Sequence, residues 1–218
     1  MKKHLLILLI FIPVTVFSQE QNINLWTRVN VTKKITKKIS LELDGQWRLN
    51  NNLTTTGAYV AELGAGYKLN KHWEVSAFYR FISRRKYDKS EGEYVYKPYH
   101  RFYANVSYNR KIGFLKFDYR LRYQNQFKDD NGLLENDKSY LRNKLEIAYP
   151  NKSRFTPAVS ADLFYRIGEA FDELRYRAEV DYKINKRNII TIGGFVSHEF
   201  NNTKLDDFTL LVSYKLKL

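Results

Sequence analysis

Residues 39–49, ISLELDGQWRL, alternate without a break in phase: Ile39, Leu41, Leu43, Trp47 and Leu49 share one face, and Ser40, Glu42, Asp44, Gln46 and Arg48 share the other. A period of two places the two sets on opposite sides of a β-strand. The same alternation continues through most of the chain. Tyr59, Ala61, Leu63, Ala65, Tyr67 and Leu69 alternate with Glu62 and Lys68, and Trp73, Val75, Ala77, Tyr79 and Phe81 with Glu74 and Arg80. Phe102, Ala104, Val106 and Tyr108 stand opposite Arg101, Tyr103, Asn105 and Ser107. Leu115, Phe117, Tyr119, Leu121 and Tyr123 form the clearest ladder, against Lys116, Asp118, Arg120, Arg122 and Gln124. Further ladders cover Leu141–Ile147, Val159–Tyr165, Leu174–Tyr182, Ile190–Phe200 and Phe208–Leu218.

These ladders predict strands of roughly 10 to 13 residues, longer than the five or six usual in soluble sheets. Such a strand, tilted, crosses a bilayer. The connections fall into two sets. KKITKK, LNKH, RKIG, PNKSR and INKRN are short, whereas NNLTTTG, RRKYDKSEGEYVYKP, KDDNGLLENDK, IGEAF and NNTKLDD, between them, are longer or more polar. Tight turns on one side and longer loops on the other are the habit of bacterial outer-membrane barrels. In that frame the apolar face of residues 39–49 meets lipid. A one-residue slip would turn Glu42, Asp44 and Arg48 outward, where a single basic residue costs about 2–4 kcal/mol at the midplane.

The expected fold is all-β: a transmembrane antiparallel up-and-down β-barrel of 10–12 strands. Ten ladders begin at residue 39, and LWTRVNVTKK ahead of them reads as an eleventh. Single-chain bacterial barrels have even counts, so this segment is either not a wall strand or accompanied by a further short one. Trp26, Trp47, Trp73, Tyr99, Phe114, Phe127, Tyr149, Phe155, Phe200 and Phe208 lie near strand ends and are expected in interfacial girdles. A soluble exported sandwich or barrel has the same register with its faces exchanged and is the competing reading.

The N-terminus fits export. Lys2 and Lys3 precede an apolar run from Leu5 to Ile12 that resumes after Pro13, and Val16 and Ser18 supply small residues for cleavage after Ser18. Residues 1–18 are therefore expected to be a signal peptide and 19–218 a single outer-membrane β-barrel domain, located in the outer membrane of a Gram-negative cell. With Cys 0 there is no cysteine for a lipid anchor or a disulfide framework. The net charge is +14. It is spread along alternate strand positions rather than gathered in a tail, and with export it does not indicate nucleic acid. The last strand ends in phase on Leu218, as expected of the segment read by outer-membrane assembly machinery, although on Leu rather than Phe.

LWTRVNVTKKITKKISLELDGQWR and the later GAGYKLNKHWEVSAFYRF resemble the outer-membrane barrel family catalogued as domain of unknown function 2490, over essentially the whole mature chain. The resemblance implies fold and location, and brings no activity or site residues.

Candidate chemistry is sparse. Outside the leader the histidines are His72, His100 and His198. His198 in VSHEFNN invites comparison with the His-x-Ser-Asn arrangement of barrel lipid hydrolases, which it resembles in Asn201. Phe200 stands in place of the serine, however, and Ser197 points to the opposite strand face. No enzyme and no cofactor are expected. The oxygen donors Asp129, Asp130, Asn131, Glu135 and Asp137 could serve Ca²⁺, but a solvated loop accounts for them.

The inward positions carry the remaining charge. Arg48, Lys68, Arg80, Arg101, Lys116, Arg120, Arg122, Arg142, Lys144, Arg166, Arg175, Arg177 and Lys183 face Glu42, Asp44, Glu62, Glu74, Asp118, Glu146, Asp162, Glu173, Glu179, Asp181 and Glu199, 13 against 11, so that most can pair. A structural or surface barrel with a charge-paired lumen is the first expectation. The alternative is a small passive channel with weak anion preference lined by Arg80, Arg101, Arg120, Arg122, Arg142, Lys144, Arg175 and Arg177. Its basic excess is expected at Arg120, Arg122, Arg142 and Lys144. Expected partners are outer-membrane lipid, the assembly machinery through the C-terminal strand and a small anionic solute, with no nucleic acid.

Overall fold

The computed structural model describes residues 22–130, 132–201 and 207–218. The expected signal peptide lies outside the described residues. The strands are β1 (Ile23–Lys34), β2 (Ile39–Asn50), β3 (Thr55–Lys68), β4 (Trp73–Asp88), β5 (Glu93–Ile112), β6 (Leu115–Asp130), β7 (Leu133–Ala148), β8 (Phe155–Arg166), β9 (Phe171–Lys183), β10 (Asn188–Glu199) and β11 (Phe208–Lys217). They form a closed barrel in chain order.

Eleven strands settle the question raised by LWTRVNVTKK, which is a full wall strand. In an up-and-down series the first and last of an odd set run the same way, so the even-count expectation gives way to closure by a parallel pair. β1 and β11 pair in parallel without a break from Ile23↔Phe208 to Thr32↔Lys217, and all other neighbours are antiparallel. Asn22 and Leu218 consequently lie at opposite rims. Side chains and backbone brace the seam at both ends. The Asn22 amide donates to Asp207 Oδ1 at 3.2 Å at one end, and the Leu218 amide donates to the Thr32 carbonyl at 2.8 Å at the other.

The faces are those of a membrane barrel, inside out relative to a soluble protein. Leu43 is 58% and Leu63 57% exposed, whereas Asp44 and Glu62, between them in register, are buried. Among the described residues no helix is long and apolar enough to cross a membrane. Two aromatics expected in the girdles sit inside instead. Trp26 lines the lumen, and Tyr99 packs inward with Ala58, Val60 and the fully buried Ile82. Each is one residue out of phase with its lipid-facing neighbours, and phase outranks proximity to a strand end. Phe78 also points inward. Its ring lies over Gly64, where a Cβ would come within 2.0 Å, and stacks on Tyr103 at 4.9 Å between centroids.

Two of the expected long loops, RRKYDKSEGEYVYKP and KDDNGLLENDK, are largely strand, while NNLTTTG and IGEAF are mainly turn and most of NNTKLDD lies outside the described residues. Arg85–Asp88 pair only with β5 and Glu93–Pro98 only with β4, so the hairpin's ladder runs beyond both neighbouring strands, and Tyr96 ties it back to β3 by donating its hydroxyl to the Thr56 carbonyl at 3.1 Å. Leu133–Ser139 likewise pair only with β6. The alternation simply runs on, as in Arg85, Tyr87, Tyr94 and Tyr96, and each hairpin closes at a glycine with positive φ: Gly92 at 72° and Gly132 at 84°. The asymmetry between the ends is thus one of strand length. We call the end carrying these hairpins the extended rim and the opposite end the tight rim. All three register shifts, at Arg48/Leu49, Gln126/Phe127 and Phe164/Tyr165, lie toward the extended rim.

Candidate functional site

A cavity of about 660 Å³ occupies the lumen, walled by inward side chains of β1 to β11. Arg80, Arg101, Arg120, Arg122, Arg142, Lys144, Arg175 and Arg177 all line it.

Toward the tight rim the charges are matched. Arg28 bonds Asp44 and lies 3.6 Å from Glu42, and Asn30 Nδ2 donates to Glu42 Oε1 at 2.8 Å. Lys144 meets Glu146 at 2.5 Å, Lys116 meets Asp118 at 2.6 Å, and Lys215 meets Asp181 at 3.1 Å. Thr191 Oγ1 adds a bond to Asp181 at 2.5 Å. Farther up, Arg80 bonds Glu62, and Asp162 takes Arg142 at 2.5 Å with Arg120 at 3.7 Å. Glu173 accepts from Arg175 at 2.7 Å and from the Ser197 hydroxyl at 2.5 Å.

Four arginines are held differently. Arg48 donates to Gln46 Oε1 at 2.7 Å and lies 3.7 Å from the Trp26 ring centroid. Arg101 Nε donates to Gln126 Oε1 at 3.1 Å. Arg122 Nε donates to Asn105 Oδ1 at 2.7 Å, its guanidinium 3.8 Å from the Tyr103 centroid. Arg84 lies over Tyr99 at 5.3 Å. Among the described residues none of these four makes an ion pair. Their partners are neutral amides and ring faces, which hold a guanidinium in place without cancelling its charge.

The basic excess therefore sits apart from where the sequence suggests. Lys144, Arg142 and Arg120 have Glu146 and Asp162 beside them, brought in from β7 itself and from β8. Of that expected track only Arg122 lacks a carboxylate. Reading the ladders one at a time also missed Arg28, because β1 was in doubt as a wall strand, and the lumenal rings Trp26, Phe78, Phe164 and Phe195. The alternation of Trp26, Arg28, Asn30 and Thr32 was the available signal for β1.

The histidines remain outside the lumen. His198 packs edge-on to Phe200 at 5.7 Å on the outer face of β10, while Ser197 is turned inward to Glu173 and Arg175. His100 Nδ1 lies 2.8 Å or less from a partner, 2.7 Å from the Tyr79 hydroxyl, and His72 Nδ1 is 2.8 Å from the Asn109 carbonyl. Among the described residues no group of His, Asp and Glu is arranged to hold a metal ion. Of the oxygen donors near residue 130, Asp129 accepts the Gly132 amide, Glu135 pairs with Lys128, and Asp137 accepts from Gln126.

The sequence profile of the family described as "Protein of unknown function (DUF2490)" matches residues 23–209. The chain belongs to DUF2490. Its barrel is similar to the crystal structure of the beta domain of the Bordetella autotransporter BrkA, at 9% identity and a TM-score of 0.53. The likeness covers 84% of this chain and 85% of that one, and it shows a shared barrel fold. No curated protein matches the DUF2490 chain.

Proposed function

We propose that the protein is an outer-membrane β-barrel of a Gram-negative cell, exported by its signal peptide, that acts as a small passive channel preferring anions and not as an enzyme. The observation that supports this most is the set of Arg48, Arg84, Arg101 and Arg122, which have no ion-pair partner among the described residues, around a cavity of about 660 Å³. Fixed cations lining a narrow lumen attract anions and repel cations. Lipid contacts the outer face, and β11 is the segment offered to the assembly machinery. Nucleic acid has no place in this reading. A structural or surface barrel with a sealed lumen is the second reading, favoured by the dense ion pairing near the tight rim.

The test is conductance of the purified chain in planar bilayers under a salt gradient. Steady current whose reversal potential reports anion preference, lowered by Arg101→Gln with Arg122→Gln, supports the channel. Silence from a barrel that shows heat-dependent gel mobility rejects it in favour of the sealed barrel. Fractionation without detergent would reject both in favour of a soluble exported module.

A further inference from the structure

We infer that the lumen holds a discrete binding site for a polyvalent oxyanion, a small molecule bearing two or more phosphate or carboxylate groups, formed by Arg48, Arg84, Arg101 and Arg122. The site deepens the channel reading, in that it names what the lumen would take, but it requires only that anions reach the cavity.

Three observations carry it. The first is like charge placed side by side. Arg80 is the direct cross-strand partner of Arg101, Arg122 of Arg142, and Arg120 of Lys144. Such pairs are destabilising unless something negative stands between or above them. Glu62 and Asp162 answer Arg80, Arg142 and Arg120, which leaves Arg101 and Arg122 beside cations whose own acids are already engaged. A further cation joins them: Arg48 and Arg175 both lie over the Trp26 ring, at 3.7 and 5.7 Å from its centroid.

The second is orientation. Arg48 and Arg122 sit over the Trp26 and Tyr103 rings, and Arg101 against an amide oxygen, contacts with neutral groups that leave the remaining guanidinium donors for the cavity. A guanidinium fork matches a carboxylate or a phosphate through two parallel bonds. The third is unmet bonding capacity. Arg120 Nε, Arg142 Nε and Asp162 Oδ1 are buried in the same lumen with no hydrogen-bond partner. Closed off as they stand, the unpaired donors of Arg120 and Arg142 are a cost that turning toward a bound anion or its water would relieve. The cavity falls within the usual range for small-molecule sites, about 300–1,000 Å³.

The experiment is calorimetric titration of the folded full chain in detergent with inorganic pyrophosphate and, separately, citrate, at ionic strength matched with sodium chloride. One saturable site per barrel is expected for at least one of the two probes, with Trp26 emission changing on binding. Arg101→Gln and Arg122→Gln should each weaken it roughly tenfold or more, since each removes a charge-assisted bond to the anion. Lys116→Gln, near the tight rim, should leave it unchanged. Absence of saturable binding by the wild-type chain, or binding indifferent to both arginine changes, overturns the site. Saturable binding in a barrel that passes no current keeps the site and removes the channel. Anion-selective current without saturable binding does the reverse.

Discussion

The two ends of the lumen solve the same electrostatic problem in opposite ways. Near the tight rim most lumenal acids have a cation within 4 Å, as in Lys116–Asp118, Lys144–Glu146 and Lys215–Asp181. Toward the extended rim Arg48, Arg84, Arg101 and Arg122 are held by amides and aromatic faces. Ion pairs fill space and fix register, at the cost of leaving no charge to act on a solute. Amide and ring partners fix the guanidinium equally well but leave its charge free. One end of the lumen therefore resembles a sealed core, and the other a selectivity surface.

The largest expected effect breaks the paired end. Asp44, whose side chain is wholly buried, accepts from Arg28, Asn30 and Gln46, the last at 2.8 Å. Asp44→Asn should cost about 3 kcal/mol, near the lower end for breaking a buried pair, because Arg28 keeps Glu42 and some solvent contact. Denaturant unfolding of the folded barrel in detergent measures it, and a loss below about 1 kcal/mol would mean that the pairs are cosmetic.

A change of opposite sign sharpens the comparison at the other end. Asn105→Asp would give Arg122 a carboxylate, and Ser76, now an acceptor from Asn105 Nδ2 at 2.9 Å, can turn its hydroxyl to donate instead. The expected outcome is a gain of about 1 kcal/mol, the difference between a neutral and a charge-assisted bond, together with weaker anion preference. Destabilisation in the same assay would show that Arg122 already has its negative partner.

The smallest effect lies outside the lumen, on the extended β4–β5 hairpin. Hydrogen bonds from Lys97 and Ser90 hold the Asp88 carboxyl well below the usual carboxylate range. A carboxyl depressed on folding stabilises above its unfolded value, about 3.9, and loses that contribution as pH falls below it. Amide protection across residues 85–98, taken relative to the intrinsic exchange rate at each pH, should fall on acidification, and Asp88→Asn should remove that dependence with little change in the wall strands.

Much of the barrel was legible in the ladders because a period of two assigns each residue a face without reference to any neighbour. Leu43 against Asp44, and Leu121 against Arg122, are settled locally, as is the strand character of β1 through Trp26, Arg28, Asn30 and Thr32. Residue type misleads where phase does not. Being aromatic and near a strand end suggests a girdle for Trp26 and Tyr99, and polarity suggests loops at residues 85–98 and 128–138, yet the alternation of β1 and of residues 85–98 points inward for Trp26 and to strand for the hairpin.

Partner choice was not legible. Arg120 and Arg122 look alike in the sequence, two residues apart on one face, yet Arg120 shares Asp162 while Arg122 meets Asn105. Closure was equally hidden, since nothing local tells β1 that its second neighbour is a parallel β11. The sequence by itself determined which side chains meet lipid and which meet the lumen, because alternation is a property of one strand. Only the tertiary structure decided which lumenal charges are cancelled, because cancellation depends on register across strands, which the chain sets by closing into a ring of eleven.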